Sequence, residues 1–203
     1  MSTARIDKVV IPGVFSLDGQ DFDVENNVWL VGDDDEVLVI DAPHDAGPIV
    51  EAIGGRRVTA IVLTHGHNDH ITAAPALREA TGAPIWFSGQ DRMLWDMTHA
   101  GAEPDQDLAP GTRFTVARTT LTALHTPGHS PGSTCLHAPD LNTVFTGDTL
   151  FHGGPGATGR SFSDHPTILD SIRSQLFSLH GDTVVRTGHG DDTTIAAELR
   201  NLG

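Results

Sequence analysis

A dense group of metal-binding side chains follows an apolar segment of this 203-residue sequence. Residues 58–63 are apolar except for one threonine, which is typical of a strand buried on both faces. The chain then reads Thr64-His65-Gly66-His67-Asn68-Asp69-His70. Buried imidazoles and carboxylates each need a hydrogen bond or a metal ion, and such nitrogen and oxygen ligands suit Zn²⁺ or a similar divalent metal. The alternative, a loop whose histidines only form hydrogen bonds, is disfavoured by this density of ligands.

Three further segments present a ligand-type residue at the end of a predicted strand, with glycine close by. His129 lies in a Gly/Pro turn, Asp148 follows an apolar strand, and His189 stands between two glycines after a third strand. Glycine lets the backbone turn tightly at such positions. One histidine at a strand end is weak evidence, but four such loops in one chain predict a shared site.

The elements that must position these loops alternate between strand-rich and helical stretches. Strands are predicted at residues 8–11, 27–31, 37–40, 58–63, 85–87, 113–116, 119–125, 134–137, 143–146 and 184–186, with a hairpin turn at residues 32–35. Helices are predicted at residues 45–53, 73–80, 91–99, 166–179 and 194–199. Strands followed by helices, twice over, indicate two packed sheets with helices outside. The length favours a single domain over residues 1–203.

Composition narrows the possible partners. The sequence has 12 Lys and Arg against 27 Asp and Glu, a formal net charge of −15, which argues against nucleic acid or an anionic membrane as a partner. The single cysteine, Cys135, excludes an internal disulfide framework. Because no segment is typical of a signal peptide or a membrane span, we expect a cytoplasmic protein that acts on a small molecule. The sequence does not indicate the oligomeric state.

The ligand series resembles that of the metallo-β-lactamase superfamily. The shared pattern is His65-x-His67-x-Asp69-His70, followed by His129, Asp148 and His189. Within that superfamily, the stretches TPGHSPGS and TGDTLF are most similar to the glyoxalase II branch, the hydroxyacyl-thiol hydrolases. The resemblance implies an α+β fold, an αββα four-layer sandwich with the metal site at one edge of its two sheets.

The resemblance also implies a role for each residue of the pattern. Two divalent metal ions are expected, zinc in the first instance, with iron or manganese as alternatives. The first ion would be held by His65, His67 and His129, the second by Asp69, His70 and His189, and both by Asp148. Asp41, at the end of a predicted strand, matches a position that supports the ligand loop.

The implied reaction is hydrolysis of a thioester by a metal-bridging hydroxide. Two metal ions lower the pKa of a shared water toward 7, and Asp69 would both ligate a metal and accept the proton of that water. A thiolate leaving group needs little help from an acid, because a free thiol has a pKa of about 8.5.

The thiol carrier is expected to differ from glutathione. The sequence has no tyrosine and one lysine, so the Tyr and Lys contacts that the glyoxalase II branch uses for glutathione have no counterparts. An S-acyl- or S-formyl-mycothiol is the candidate substrate. Arg160, Phe151 and His152 are the candidate substrate contacts, and Phe162 and Trp95 are further candidates for an apolar acyl pocket.

Three alternatives stay open at this point. A mononuclear-iron persulfide dioxygenase and a lactonase share the fold and the ligand pattern. A metal-stabilised binding protein without catalysis is disfavoured, because purely structural metal sites are normally closed and four-coordinate.

Overall fold

The first of two sheets has six strands, and its first two strands are long. The computed structural model describes residues 4–202. The sheet contains, in spatial order, β1 (Arg5–Leu17), β2 (Gln20–Gly32), β3 (Glu36–Ile40), β4 (Arg57–Val62), β5 (Ile85–Phe87) and β6 (Gln106–Asp107). β1 to β3 are antiparallel neighbours, whereas β3 to β6 run parallel. The ligand loop that follows β4 therefore leaves from the carboxyl end of a central parallel strand.

The second sheet also has six strands. The strands in this half are β7 (Arg113–Val116), β8 (Thr119–His125), β9 (Thr134–Ala138), β10 (Thr143–Gly147), the small separate hairpin of β11 (Leu150–Phe151) and β12 (Gly154–Pro155), β13 (Val184–Thr187) and β14 (Thr193–Thr194). The spatial order of the sheet is β14-β13-β10-β9-β8-β7. β10 and β13 are parallel, so the segments that follow them emerge at the same edge.

Helices cover the outer face of each sheet. The helices are α1 (Ala46–Ile53), α2 (Asn68–Ile71), α3 (Ala74–Thr81), α4 (Arg92–Thr98), α5 (His165–Ser171), continued by a π-helical segment at Ile172–Leu176, and α6 (Ile195–Leu202). Among residues 4–202, each helix is too short or too polar to traverse a lipid bilayer.

Alternation along the strands builds three core layers. In β3, Val37 and Val39 face the helical layer of α1 and α3, whereas Leu38 and Ile40 face the second sheet. On the far side, Val144 and Val185 pack against the helical layer of α5. Because successive residues of a strand point to opposite faces, the apolar strands supply both an inner and an outer core. The predicted α+β four-layer sandwich is confirmed.

The largest difference from the sequence prediction is the length of the first hairpin. The predicted strands at residues 8–11 and 27–31 are parts of two 13-residue strands that extend beyond the body of the sheet. The extension was missed because its residues are largely polar or exposed and lack a buried apolar run. A signal was nevertheless present: Asp18-Gly19 forms the turn with φ of 55° and 71°, and Asp-Gly is a strong signal for a two-residue hairpin turn.

Candidate metal centre

The ligand loop changes from strand to helix within a few residues. Thr64 to His67 cross the edge of the first sheet after β4, and α2 begins at Asn68. His65 and His67 therefore project from extended backbone, whereas Asp69 and His70 project from the first turn of a helix. All four side chains are buried. This change of backbone conformation aims two pairs of ligand atoms at one region from a short stretch of chain.

The second sheet delivers the other three candidate ligands to the same edge. His129 lies in the turn between β8 and β9, Asp148 follows β10, and His189 follows β13. The Nε2 atom of His129 is 2.9 Å from Nδ1 of His67, and Nε2 of His189 is 3.1 Å from Nε2 of His70. The fold thus brings together all seven residues singled out from the sequence.

The seven side chains form two groups that share a carboxylate. The ligand atoms of His65, His67 and His129 lie within 4.8 Å of one another, and so do those of Asp69, His70 and His189. Asp148 lies between the groups: its Oδ2 is 3.6 Å from Nε2 of His129 and 3.3 Å from Nε2 of His189. We call the first set the three-histidine group and the second the mixed group.

The donor set fits divalent metal ions. Four ligands at 2.0–2.1 Å around a tetrahedral ion lie about 3.3 Å apart, which is close to the 2.9–3.3 Å separations between the ligand atoms above. In the described part of the chain, Oδ1 of Asp69 and Oδ1 of Asp148 are buried without a hydrogen-bond partner. Buried carboxylate oxygens are normally satisfied, so Oδ1 of Asp148, which lies between the two groups, points to a missing cationic partner.

The imidazoles of His65 and His67 are held neutral. Burial, with a smaller contribution from the neighbouring His129, lowers the pKa of His67 to about 3. Burial also lowers the pKa of His65 well below its usual value, with His70 and His67 adding to the effect. Neutral imidazole is the form that ligates a metal, so His65 and His67 need no deprotonation before they bind one.

The mixed group carries charge of both signs. Burial opposes the protonation of His70, but the carboxylates of Asp148, Asp69 and Asp41 outweigh it and raise its pKa well above the usual value. Burial also lowers the pKa of His189, but Asp148 and Asp69 outweigh it and raise that pKa to about 10. Burial would raise the pKa of Asp69, but His70 and His189 outweigh it and lower that pKa to about 2. A metal ion bound here therefore replaces protons that already neutralise the carboxylates.

Hydrogen bonds to the second ring nitrogen orient several of the imidazoles. Nδ1 of His70 is 2.9 Å from Oδ2 of Asp41, the support predicted from the sequence. Nδ1 of His129 is 2.9 Å from the carbonyl oxygen of Ala157, and Nδ1 of His189 is 2.8 Å from that of Glu25. Such partners fix the tautomer that leaves Nε2 free to ligate.

Sequence analysis did not identify Asn26 and His44 as part of the site. The amide of Asn26 donates to Oδ2 of Asp69 at 3.0 Å, and its oxygen lies 2.8 Å from Nε2 of His44. Asn26 is fully buried near the middle of β2 and next to the apolar run of that strand. The signal available in the sequence was a polar residue directly beside an apolar run, where burial is expected.

A cavity of about 900 Å³ opens onto the ligands. The extended β1–β2 hairpin forms one wall, and Phe151 of β11 and Ala157 also line the cavity. The lining residues are Pro12, Gly13, Val14, Phe15, Asp23, Val24, Glu25, His67, Asp69, His129, Asp148, Phe151, Ala157, His189 and Gly190. Among the described residues, this lining contains no lysine or arginine. The space beside the ligands is thus largely apolar, with acidic residues in its hairpin wall.

The candidate substrate contacts from the sequence lie at different distances from this cavity. Phe151 lines it. His152 is exposed and outside the lining. Arg160 is also outside the lining: Nη1 donates to Oε1 of Gln20 at 2.9 Å, and the guanidinium carbon lies 4.4 Å from the ring centroid of Phe22. The suggestion that Trp95 lines an acyl pocket is wrong, because its ring is fully buried in the helical core layer.

Comparison with known proteins gives one family and several relatives. Residues 22–189 match the model of the Metallo-beta-lactamase superfamily. The chain is 33% identical over 193 residues to "Hydroxyacylglutathione hydrolase GloC" of Haemophilus influenzae, covering 87% of this chain and 91% of that protein.

Two solved structures share the fold over nearly their whole length. BLEG-1 B3 metallo-beta-lactamase is 29% identical with a TM-score of 0.79, covering 94% of this chain and 97% of the other. TTHA1623, solved in a di-iron-bound form, is 28% identical with a TM-score of 0.79, covering 94% of this chain and 98% of the other.

Proposed function

The chain belongs to the metallo-β-lactamase superfamily, and from this premise we propose that it hydrolyses the thioester of a low-molecular-weight thiol. The observation that carries the proposal is the pair of ligand groups joined by Asp148 at the floor of a cavity. This arrangement suits two divalent ions, zinc with iron or manganese as alternatives, and the di-iron form of TTHA1623 supports iron as one of them.

The seven candidate ligands are assigned to two metal ions. His65, His67 and His129 would hold one ion, Asp69, His70 and His189 the other, and Asp148 both. When bound, such a metal pair supplies a water of lowered pKa and polarises the substrate carbonyl.

Asp69 is placed to receive the proton of the attacking water. Its Oδ2 accepts from the amide of Asn26 and lies 3.3 Å from Nε2 of His189, whereas its Oδ1 is buried without a partner. The anchored oxygen fixes the carboxylate, and the other oxygen is left to take up a proton. No second acid is required for the leaving group, because a thiol of pKa about 8.5 departs as a thiolate.

The cavity supports a carrier other than glutathione. Glutathione presents two carboxylates, and anionic groups are usually recognised by arginine or lysine. Among the described residues the cavity lining offers neither, while Asp23 and Glu25 are part of its wall. A carrier without carboxylates fits better, and S-acyl- or S-formyl-mycothiol is the specific candidate.

The test is a thioester panel in which only the carrier changes, with metal content measured on the same protein sample. The same acyl group is presented on N-acetylcysteamine, glutathione and mycothiol. We expect two metal ions per chain, hydrolysis that is lost with a chelator, and a kcat/KM at least tenfold higher for the uncharged carriers. Asp148→Asn should abolish the activity, and Asp140→Asn, an exposed control, should retain it.

Other outcomes would replace the proposal with a named alternative. One iron per chain with oxygen uptake and sulfite formation from a persulfide would identify a dioxygenase. Faster turnover of lactones than of every thioester would identify a lactonase. Full metal occupancy without hydrolysis of any ester, thioester or lactam would favour a binding protein.

A further inference from the structure

One buried carboxylate outside the ligand set touches both loops of the three-histidine group. Asp91, directly before α4, is 1% exposed. Its Oδ2 accepts from the backbone N–H of Gly66 at 2.8 Å and from Oγ of Ser130 at 2.6 Å. Its Oδ1 accepts from the backbone N–H of Gly132 at 2.6 Å. A carboxylate that accepts three such bonds forms charge-assisted hydrogen bonds, which are stronger than neutral ones.

The three donors belong to residues on the two loops that carry the ligands, two of them as backbone N–H groups and one as a side-chain hydroxyl. Gly66 stands between His65 and His67, and Ser130 directly follows His129. The first loop leaves the first sheet and the second joins two strands of the second sheet. Asp91 therefore links the two sheets at the point where their loops form the three-histidine group.

The two glycines allow this close approach. A Cβ added at Gly132 would lie 2.7 Å from Cγ of Asp91. A Cβ added at Gly66 would lie 3.0 Å from Cβ of Asp91 and 2.7 Å from Cβ of Leu94. Real Cβ atoms are not found at such distances from packed neighbours, so any side chain at either position would push Asp91 or the loop away. The sequence of both ligand loops is thus fitted to this carboxylate.

We infer that Asp91 is a positioning residue that sets the spacing between the His65/His67 loop and the His129 turn, and thereby the metal affinity of the three-histidine group. This inference rests on the proposed metal binding and names a residue that acts on one of the two groups. The mixed group has no such link to Asp91, because its side chains are held by Asp41, Asn26 and the carbonyl of Glu25.

The experiment isolates each group before Asp91 is changed. In the full-length chain, His189→Ala removes a ligand of the mixed group, and His129→Ala removes one of the three-histidine group. Asp91→Asn is then added to each of these variants, and the proteins are treated with a chelator and titrated with Co²⁺. The visible absorption of the bound Co²⁺ reports its coordination, and competition with a chelator gives its affinity. An asparagine keeps the shape but turns an NH₂ toward at least one of the three donors.

In the His189→Ala background, we expect Asp91→Asn to weaken Co²⁺ binding about 10–100-fold. In the His129→Ala background, we expect it to leave Co²⁺ binding unchanged. The Co²⁺ spectrum should change only in the first pair. Asp96→Asn, an exposed acid on the same helix, should have no effect in either background. Equal losses in both backgrounds, or no loss in the first, would overturn the inference.

A milder variant covers the case in which Asp91→Asn does not fold. Ser130→Ala removes one of the three hydrogen bonds and should weaken Co²⁺ binding in the same background by a smaller factor. No loss with Ser130→Ala in a folded protein would count against the inference. If the variants show the expected effect of Asp91 on Co²⁺ binding but the wild-type protein hydrolyses no thioester, the proposed function is refuted and the inference on Asp91 stands.

Discussion

Nδ1 of His70 lies 2.9 Å from Oδ2 of Asp41, and Asp41 holds this position with a backbone φ of 64°. The left-handed region is uncommon for residues other than glycine. Here the carboxylate also accepts from the backbone N–H and the hydroxyl of Thr64, at 2.7 and 2.9 Å. Three hydrogen bonds thus offset the backbone strain, and the ring of His70 is fixed with Nε2 toward Asp69 and Asp148.

Asp41→Asn is expected to lower kcat/KM for thioester hydrolysis about 10–100-fold. An amide offers one acceptor oxygen and one donor group, so it cannot accept from His70 and from both groups of Thr64. The measurement is steady-state hydrolysis with metal content determined on the same sample. Asp35→Asn, exposed in the β2–β3 turn, is the matched control, and wild-type kinetics for Asp41→Asn would contradict the assigned support role.

Asp69→Asn is expected to lower kcat at least ~100-fold, because the amide cannot accept the proton of the attacking water. The three-histidine group is unchanged, so the variant should still bind at least one metal ion per chain. Metal analysis and single-turnover kinetics separate the two effects, and Glu79→Gln on α3 is an exposed acidic control. Retained turnover with full metal content would show that another group takes the proton.

The metal-free protein is expected to be most stable near pH 6.5. His67 stays neutral in the folded chain down to about pH 3, whereas an unfolded histidine binds a proton below about 6.5. The unfolded state therefore binds more protons as the pH falls below 6.5, and stability decreases in that direction. His189 has a pKa of about 10, so it stabilises the fold below pH 6.5 and loses this contribution as the pH rises toward 10.

Each group changes the stability by up to about 1.4 kcal/mol per pH unit within its own range. Urea unfolding of chelator-treated protein between pH 5 and 10 measures this directly. His67→Gln should flatten the acidic side of the profile and His189→Gln the alkaline side. A flat profile for the unsubstituted protein would contradict the assigned protonation states.

Arg160→Ala is expected to lower kcat/KM less than about tenfold and equally for anionic and uncharged thioesters. Arg160 contacts Gln20 and Phe22 at the end of the hairpin, so its removal loosens that wall rather than a contact to substrate. The measurement is the ratio of kcat/KM for glutathione and N-acetylcysteamine thioesters, with the exposed Arg173→Ala as control. A loss confined to the anionic substrate would show that Arg160 binds a carboxylate of the carrier.

The sequence was most informative where the chemistry is local. His65, His67, Asp69 and His70 lie within six residues, so their spacing alone predicted a common site. The layered fold was predicted from the order of strands and helices and from the family resemblance, and apolar runs such as β4 agree with it, because a strand buried on both faces requires material above and below it.

The sequence was least informative where a single polar residue acts at a distance. Asn26, His44 and Asp91 are each isolated in the chain and reach the site only through the packing of separate elements. Asn26 at least stands next to an apolar run, but nothing in the sequence around His44 and Asp91 distinguishes them from surface residues. Arg160 stays a candidate substrate contact: the fold places a glutamine and an aromatic ring beside it, which the sequence alone did not indicate.

The long first hairpin forms a wall of the cavity, whereas the metal ligands lie on other loops of the fold. The family match begins at residue 22, so the cavity wall formed by Pro12, Gly13, Val14 and Phe15 lies outside it. The ligands, in contrast, lie on loops within the matched range. Mutations in this wall can therefore change the shape of the cavity, and with it which molecules enter, while the metal ligands stay the same. Superfamily membership therefore constrains the metal ligands more closely than the molecule that enters the cavity.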